Sequence, residues 1–87
     1  MDVRQVIGEN IRRRRIALGL TQERLAAQIG VEQSYLSGIE YGRRNPTAVT
    51  IWHIALALKV KPGSLFEPPK ADSKPTNKGA GRPRKPL

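Results

Sequence analysis

The sequence predicts an all-α protein, with one compact five-helix domain over residues 1–69 and a disordered basic tail over residues 70–87. Apolar residues recur at intervals of three and four, which is the spacing of one helix face. Glycine, threonine and proline interrupt these runs at points typical of helix ends. A chain of 87 residues is expected to form one domain, and its modest core favours local helical packing.

The first two helices are predicted from apolar spacing and from two glycines. The first spans residues 3–18 and ends at Gly19, since glycine is common just past a helix C-terminus. Its apolar stripe consists of Val3, Ile7, Ile11 and Leu18. The second helix spans residues 22–29, starts after the N-cap candidate Thr21 and stops at Gly30.

The remaining three helices follow from similar signals. The third is expected over residues 33–41 and the fourth over residues 48–58, where Thr47 can cap the first turn. Pro62 suits the first position of a short fifth helix over residues 62–66. The sequence shows no convincing strand pattern.

The connection between the second and third helices is short enough to force a steep crossing. Seven positions in this region have the residue type that such a crossing needs, namely Leu25, Ala26, Ile29, Gly30, Val31, Leu36 and Ile39. A small residue lets the helices approach, a glycine allows the sharp turn, and the apolar residues fill the wedge between the helices. This constellation predicts a helix-turn-helix unit.

Four stretches carry a family resemblance. They are LGLTQE at 18–23, LA at 25–26, GV at 30–31 and IEYGRRNP at 39–46. Together they resemble the lambda-repressor-like (Cro-like, XRE-type) helix-turn-helix family over about residues 4–67. The resemblance implies a five-helix DNA-binding domain that binds double-stranded DNA and commonly regulates transcription as a homodimer.

The third helix is the candidate recognition helix. A helical wheel places Leu36 and Ile39 on its buried side. Its other side carries Ser34, Ser37, Gly38 and Tyr41. The resemblance implies that bases are faced by Gln33, Ser34, Ser37 and Gly38. Glutamine can pair with adenine through two hydrogen bonds. Gly38 departs from the long polar side chain of many relatives, so one base contact is expected to be missing. The alternative is a solvated polar face.

A second group of residues is expected to contact the DNA backbone. The resemblance implies a phosphate contact for Gln22 at the start of the second helix, where free N–H groups also favour an anion. The same role is expected for Tyr41, Arg43, Arg44 and Asn45. The alternatives are an ordinary helix-start glutamine and a solvated loop.

Four consecutive arginines at residues 12–15 cannot all point the same way on a helix. Arg12 and Arg13 are expected to be solvated, and the alternative is a position near a DNA phosphate. The resemblance implies a structural ion pair between Arg15 and Glu40, and Arg14 is the rival partner.

The fourth helix carries two apolar stripes. The core stripe is Ile51, Ile54, Ala55 and Leu58, and the second stripe is Val49, Trp52 and Leu56. A helix with two apolar stripes needs two surfaces to pack against. The second stripe is therefore a candidate homodimer interface. The alternative is that Leu65, Phe66 or residues 67–69 cover it.

Charge divides unevenly along the chain, whose net charge is +9. Residues 70–87 contain six basic residues and one acidic residue. Their GRPRK segment at 81–85 resembles the core of an AT-hook, which implies minor-groove contacts for Arg82 and Arg84. Ala80 stands where the hook has an arginine, and the alternative is a nonspecific basic tail.

Composition argues against other classes of protein. The chain has no cysteine and one histidine, His53, so neither a thiol nucleophile nor a metal site is expected. Enzyme motifs, a cofactor site, a signal peptide and a membrane segment are also not expected, which favours a cytoplasmic, nucleoid-associated protein. The leading hypothesis is a sequence-specific transcriptional regulator, for which repression by blocking polymerase is the simplest mechanism. The alternatives are an architectural DNA-binding protein of low specificity and an antitoxin or interaction module with an unidentified protein partner.

Overall fold

The computed structural model describes residues 2–68. Within them the chain forms four α-helices and one 3₁₀-helix, in the order α1 (Val3–Ala17), α2 (Gln22–Ile29), α3 (Gln33–Glu40), α4 (Ala48–Leu58) and a 3₁₀-helix (Pro62–Phe66). The described part contains no strand, which confirms the all-α prediction. The predicted tail, with Arg82 and Arg84, lies outside the described residues.

The predicted N-caps of α2 and α4 are confirmed. The Thr21 side chain accepts a hydrogen bond from the Arg24 N–H at 3.1 Å, and the Thr47 side chain accepts one from the Thr50 N–H at 3.0 Å. Gly30 ends α2 in the left-handed region, with φ of 77°. These local signals account for the match between the predicted and observed ends of both helices.

The N-cap of α1 was missed in the sequence. The Asp2 carboxylate accepts a hydrogen bond from the Arg4 N–H at 2.8 Å, and it also pairs with the Arg4 guanidinium at 2.9 Å. The hydrogen bonds from Arg4 lower the pKa of Asp2 to about 2. An aspartate immediately before the first apolar residue was the available signal.

The fifth helix was predicted at the correct residues, but it is a 3₁₀-helix rather than an α-helix. Its five residues begin with Pro62 and Gly63. Proline supplies no N–H, and glycine is a poor helix former. A segment this short therefore adopts the tighter 3₁₀ turn that is common in connections.

The core is built from all four α-helices and the 3₁₀-helix. Its buried side chains include Ile7, Ile11, Leu25, Ala26, Leu36, Ile39, Ile51, Ile54, Ala55, Leu58 and Leu65. The predicted core stripe of α4 is confirmed. The prediction for Val3 is wrong, because Val3 is 52% exposed and Val6 is buried in the same turn of α1. Val3 is the first residue of α1, where the helix begins at the surface of the domain.

Gly8 permits the close crossing of α1 and α3. A Cβ atom at this position would overlap the carbonyl oxygen of Ile39 and lie 2.6 Å from that of Glu40. The backbones of the two helices therefore meet at a point where only glycine fits. This contact brings the end of α3 against α1, and it positions Glu40 for the interactions described below.

Two side chains of α1 tie it to the end of the domain. Arg14 donates a hydrogen bond to the Leu58 carbonyl at 3.0 Å. Asn10 donates to the carbonyls of Leu65 and Glu67 at 2.8 and 2.7 Å. These contacts satisfy carbonyl groups at the C-terminal ends of α4 and of the 3₁₀-helix, where partners within the helix run out. Among residues 2–68 no helix is both long and apolar enough to cross a membrane.

Candidate nucleic-acid interface

The turn between α2 and α3 presents α3 at the surface. Leu25 on α2 and Leu36 on α3 are both fully buried where the two helices pack. Gly30 turns the chain, and its N–H donates to the Ala26 carbonyl at 2.9 Å. This is the helix-turn-helix geometry that the sequence predicted, with one side of α3 in the core and the other open to solvent.

The open side of α3 carries most of the predicted base-contacting residues. Gln33, Ser34 and Tyr41 are exposed, and Ser37 is half-buried. Gly38 differs, because it is buried. The side chain of Arg44 covers it, since a Cβ at Gly38 would lie 2.6 Å from the Arg44 Cγ.

Two glutamines join the starts of α2 and α3. The Gln33 Nε2 donates to the Gln22 Oε1 at 2.6 Å, and the Gln22 Nε2 donates to the Glu40 Oε1 at 2.9 Å. Gln22 is thus engaged at both ends of its amide and does not stand free at the helix start. The arrangement fixes the exposed Gln33 side chain by a hydrogen bond that leaves its own amide oxygen available.

Glu40 is the centre of this network. The Arg15 Nε and Nη2 donate to its two oxygens at 2.6 and 3.0 Å, and the Glu40 side chain is completely enclosed. Arg15 also donates to the Leu20 carbonyl at 2.8 Å. The hydrogen bonds to Glu40 raise the pKa of Arg15 despite its burial. Arg14, the rival partner, points instead to the end of α4.

The loop after α3 carries two arginines beside two tyrosines. The Arg43 Cζ lies 5.1 Å from the centre of the Tyr41 ring, and the Arg44 Cζ lies 5.8 Å from that of Tyr35. The backbone N–H groups of Arg43 and Arg44 donate to the Gly38 carbonyl, at 2.8 and 3.2 Å. Cation–π contacts of this kind attract guanidinium groups to aromatic faces, and Arg43 and Arg44 are both exposed residues. Asn45 is exposed beside them.

Comparison with known proteins identifies the family. The helix-turn-helix family model matches residues 11–65, which is more than half of the chain. The chain belongs to the helix-turn-helix family. An uncharacterised HTH-type transcriptional regulator of Sinorhizobium fredii is 47% identical over 68 residues, covering 78% of this chain and 88% of that protein.

Solved structures of helix-turn-helix proteins share the fold. The restriction-modification controller protein C.AhdI from Aeromonas hydrophila superposes with a TM-score of 0.70 at 41% identity, over 72% of this chain and 96% of that one. The biofilm master regulator SinR of Bacillus subtilis, solved in complex with DNA, superposes with a TM-score of 0.67 at 32% identity, over 70% of this chain and 98% of that one. The resemblance stated from the sequence motifs is confirmed.

A second exposed surface of this helix-turn-helix domain lies on α4. Val49, Trp52 and Leu56 are 63%, 55% and 61% exposed. We call these three residues the α4 stripe. The alternative that the 3₁₀-helix covers them is wrong for the described residues, because Leu65 points into the core and Phe66 is itself exposed. Trp52 and Phe66 instead border an open apolar groove of about 410 Å³ with Val3 and Pro46.

The network around Glu40 shows what sequence reasoning missed in a helix-turn-helix protein. The Gln22–Gln33 hydrogen bond and the position of Arg44 over Gly38 were not predicted. Two glutamines at the first positions of successive helices were the available signal for the former.

His53 is exposed on α4, and within residues 2–68 no cluster of acidic and histidine side chains could hold a metal ion.

Proposed function

We propose that this chain is a sequence-specific DNA-binding transcriptional regulator that inserts α3 into the major groove. The observation that carries the proposal is the open side of α3, where Gln33 and Ser34 are exposed beside a loop with two arginines. Polar side chains with free donors and acceptors can contact base edges, and the flanking cations can contact phosphates. Repression by occupying a promoter is the simplest regulatory mechanism for a domain of this size.

The Glu40 network supports this role because it preorganises the base-contacting side. Gln33 is linked through Gln22 and Glu40 to Arg15 on α1 by hydrogen bonds of 2.6 to 3.0 Å. A side chain that is already fixed loses little rotamer freedom on binding. Gln33 is therefore proposed to contact adenine, with Ser34 and Ser37 as its neighbours on the same side.

We propose that the Gln22 side chain contributes little to the phosphate contact expected at the start of α2. Both ends of its amide are engaged, so the anion would be bound chiefly by the N–H groups at the start of α2, with Gln22 at the margin. Tyr41, Arg43 and Asn45 are proposed as the phosphate contacts on the other flank of α3.

The α4 stripe is proposed as the homodimer interface. An apolar patch of three large side chains is costly to leave in water, and tryptophan and leucine are typical of interface cores. Dimerisation through α4 would place two copies of α3 on one side of the assembly. Their separation is expected to be about 34 Å, one turn of DNA, which palindromic half-sites require.

The basic residues at 70–87 are proposed to add phosphate contacts, with Arg82 and Arg84 as minor-groove candidates. A protein with these properties would act on the nucleoid in the cytoplasm. The absence of a side chain at Gly38 favours one other candidate function, an architectural DNA-binding protein of low specificity.

The experiment that tests the proposal is selection of DNA sites from a random pool with the full 87-residue chain. A palindromic consensus, bound about 10³-fold or more tightly than random DNA at the same salt concentration, is the expected result for a regulator. Binding without a consensus would favour the architectural function. The absence of binding at low salt would overturn both and leave a protein-interaction module.

A further inference from the structure

The recognition helix itself has no basic residue. Residues Gln33–Glu40 read QSYLSGIE, and their only charge is the buried Glu40. Arginine is the side chain best suited to pair with guanine, through two parallel hydrogen bonds to O6 and N7. From its own sequence, α3 therefore offers no strong contact to a G·C base pair.

Gly38 leaves an empty position on this helix, and Arg44 occupies it. A Cβ at Gly38 would lie 2.6 Å from the Arg44 Cγ and 3.6 Å from its Cδ and Nε. The aliphatic part of Arg44 is thus laid directly on the backbone of α3. No other residue type at position 38 leaves this space.

The backbone and an aromatic ring hold Arg44 in this position. The Arg44 N–H donates to the Gly38 carbonyl at 3.2 Å, which fixes the loop against the helix. The Arg44 Cζ then lies 5.8 Å from the centre of the Tyr35 ring. Tyr35 precedes Gly38 by nearly one helical turn, so the side chain runs back from the loop towards the middle of α3. Arg43 differs, because its guanidinium lies over Tyr41 beyond the end of the helix.

We propose that Arg44 is a specificity-determining residue that reads a guanine in the major groove, taking the place of the side chain that Gly38 lacks. This inference rests on the proposed function, and it assigns Arg44 to a base rather than to a phosphate. Arg44 is an exposed residue, its Cγ lies against Gly38, and its guanidinium lies near the ring of Tyr35 on the recognition helix. The fork of five N–H donors matches the two acceptors of guanine, which a lysine ammonium does not reproduce.

The test compares Arg44→Lys with Arg43→Lys in site selection and in binding to the selected site. Both variants keep the charge of the wild-type protein, so phosphate contacts and the salt dependence of binding are expected to change little. Arg44→Lys is expected to lose the preference for guanine at one position of each half-site, roughly 5- to 150-fold in affinity. Arg43→Lys is expected to keep the wild-type consensus at every position.

Gly38→Ala provides an independent test that leaves Arg44 in the sequence. The added methyl group occupies the space of the Arg44 Cγ, so the flexible arginine must leave α3, while alanine favours the helix. We expect Gly38→Ala to lose the same guanine preference, with circular dichroism unchanged. The double variant Gly38→Ala/Arg44→Lys is expected to lose no more than either single variant, because one contact is removed in each case.

Two outcomes separate this inference from the proposed function. If Arg44→Lys and Gly38→Ala both select the same consensus as the wild-type protein, including its guanine, the role of Arg44 is overturned. The proposed function as a regulator would then still stand. A wild-type protein that selects no consensus would overturn the proposed function, and the specificity role of Arg44 with it.

Discussion

Arg15 on α1 and Glu40 at the end of α3 form an ion pair with two hydrogen bonds, of 2.6 and 3.0 Å. The Glu40 side chain is fully enclosed, and its second oxygen also accepts from Gln22. One buried carboxylate therefore joins α1, α2 and α3. The pair links the stability of the domain to the positions of Gln22 and Gln33.

Removing one partner of this pair should be strongly destabilising. Arg15→Met leaves the Glu40 carboxylate buried without its cation, and we expect the free energy of unfolding to fall by about 3–5 kcal/mol. Urea denaturation followed by circular dichroism measures the loss. Arg13→Met is the matched control, because Arg13 pairs with Glu9 at 3.6 Å on the surface and should contribute about 1 kcal/mol or less. Equal losses in the two variants would contradict the structural role of the buried pair.

Gly8→Ala should separate α1 from α3. The new methyl group meets two backbone carbonyl oxygens, which cannot rotate away as a side chain would. We expect a loss of stability at or above the upper end of the roughly 1–3 kcal/mol that overpacking usually costs. Gly63→Ala is the control, since a Cβ there would meet no atom within 4 Å beyond its immediate chain neighbours. Thermal unfolding of both variants gives the comparison. A Gly8→Ala protein as stable as the Gly63→Ala protein would contradict the close approach of the α1 and α3 backbones at Gly8.

Gln33 and Arg43 should differ in the kind of affinity they supply. Gln33→Ala is expected to weaken binding to the selected site by about 1–3 kcal/mol and to relax the sequence preference there. Ser34→Ala should act in the same direction. Arg43→Ala should weaken binding to all sequences alike and lower the salt slope by about one unit. Titrations at several salt concentrations, on selected and random DNA, distinguish the two patterns. Identical behaviour would show that the division between base and phosphate contacts is wrong.

Leu56→Lys should abolish self-association. Burying a lysine in the proposed interface would place two like charges near the apolar α4 stripe, so the variant is expected to be monomeric at micromolar concentration. Light scattering gives the mass, and the fluorescence of Trp52 reports whether its indole leaves water in the wild-type protein. Ile16→Lys is the control, because Ile16 is an exposed apolar residue of α1 and is not part of the α4 stripe. A wild-type monomer whose Trp52 emits like a buried indole would exclude the α4 interface.

Deletion of residues 70–87 should reduce affinity for DNA without lowering the melting temperature. Within residues 2–68 the buried core residues lie between Val6 and Leu65, whereas the deleted segment carries six basic residues and one acidic residue. We expect the slope of the logarithm of the binding constant against the logarithm of salt concentration to become shallower, because several fewer counterions are released on binding. If Arg82 contacts a minor groove, Arg82→Ala alone should remove a preference for A·T-rich flanks. Equal affinity of the intact protein for A·T-rich and G·C-rich flanks would leave only the role of a basic tail.

The sequence by itself determined the helices and the family. Thr21 with Gly30, and Thr47 with the apolar run that follows it, predicted α2 and α4 with their observed ends. Such signals act within one helical turn, because a cap or a turn depends on residues close in the chain. The core stripe of α4 and the helix-turn-helix unit followed from the same local rules. The expected pairing of Arg15 with Glu40 came from the family resemblance.

Only the tertiary structure decided which side chains those helices bring together. No local pattern predicted that Gly38 is buried under Arg44, that Gln22 bonds to both Glu40 and Gln33, or that Val3 stays exposed. Each of these contacts depends on where α1, α3 and the following loop cross, and Gly8 sets how closely α1 meets α3. Periodicity specifies the side of a helix that faces inward, but the partner on that side is fixed by the packing of segments distant in the chain.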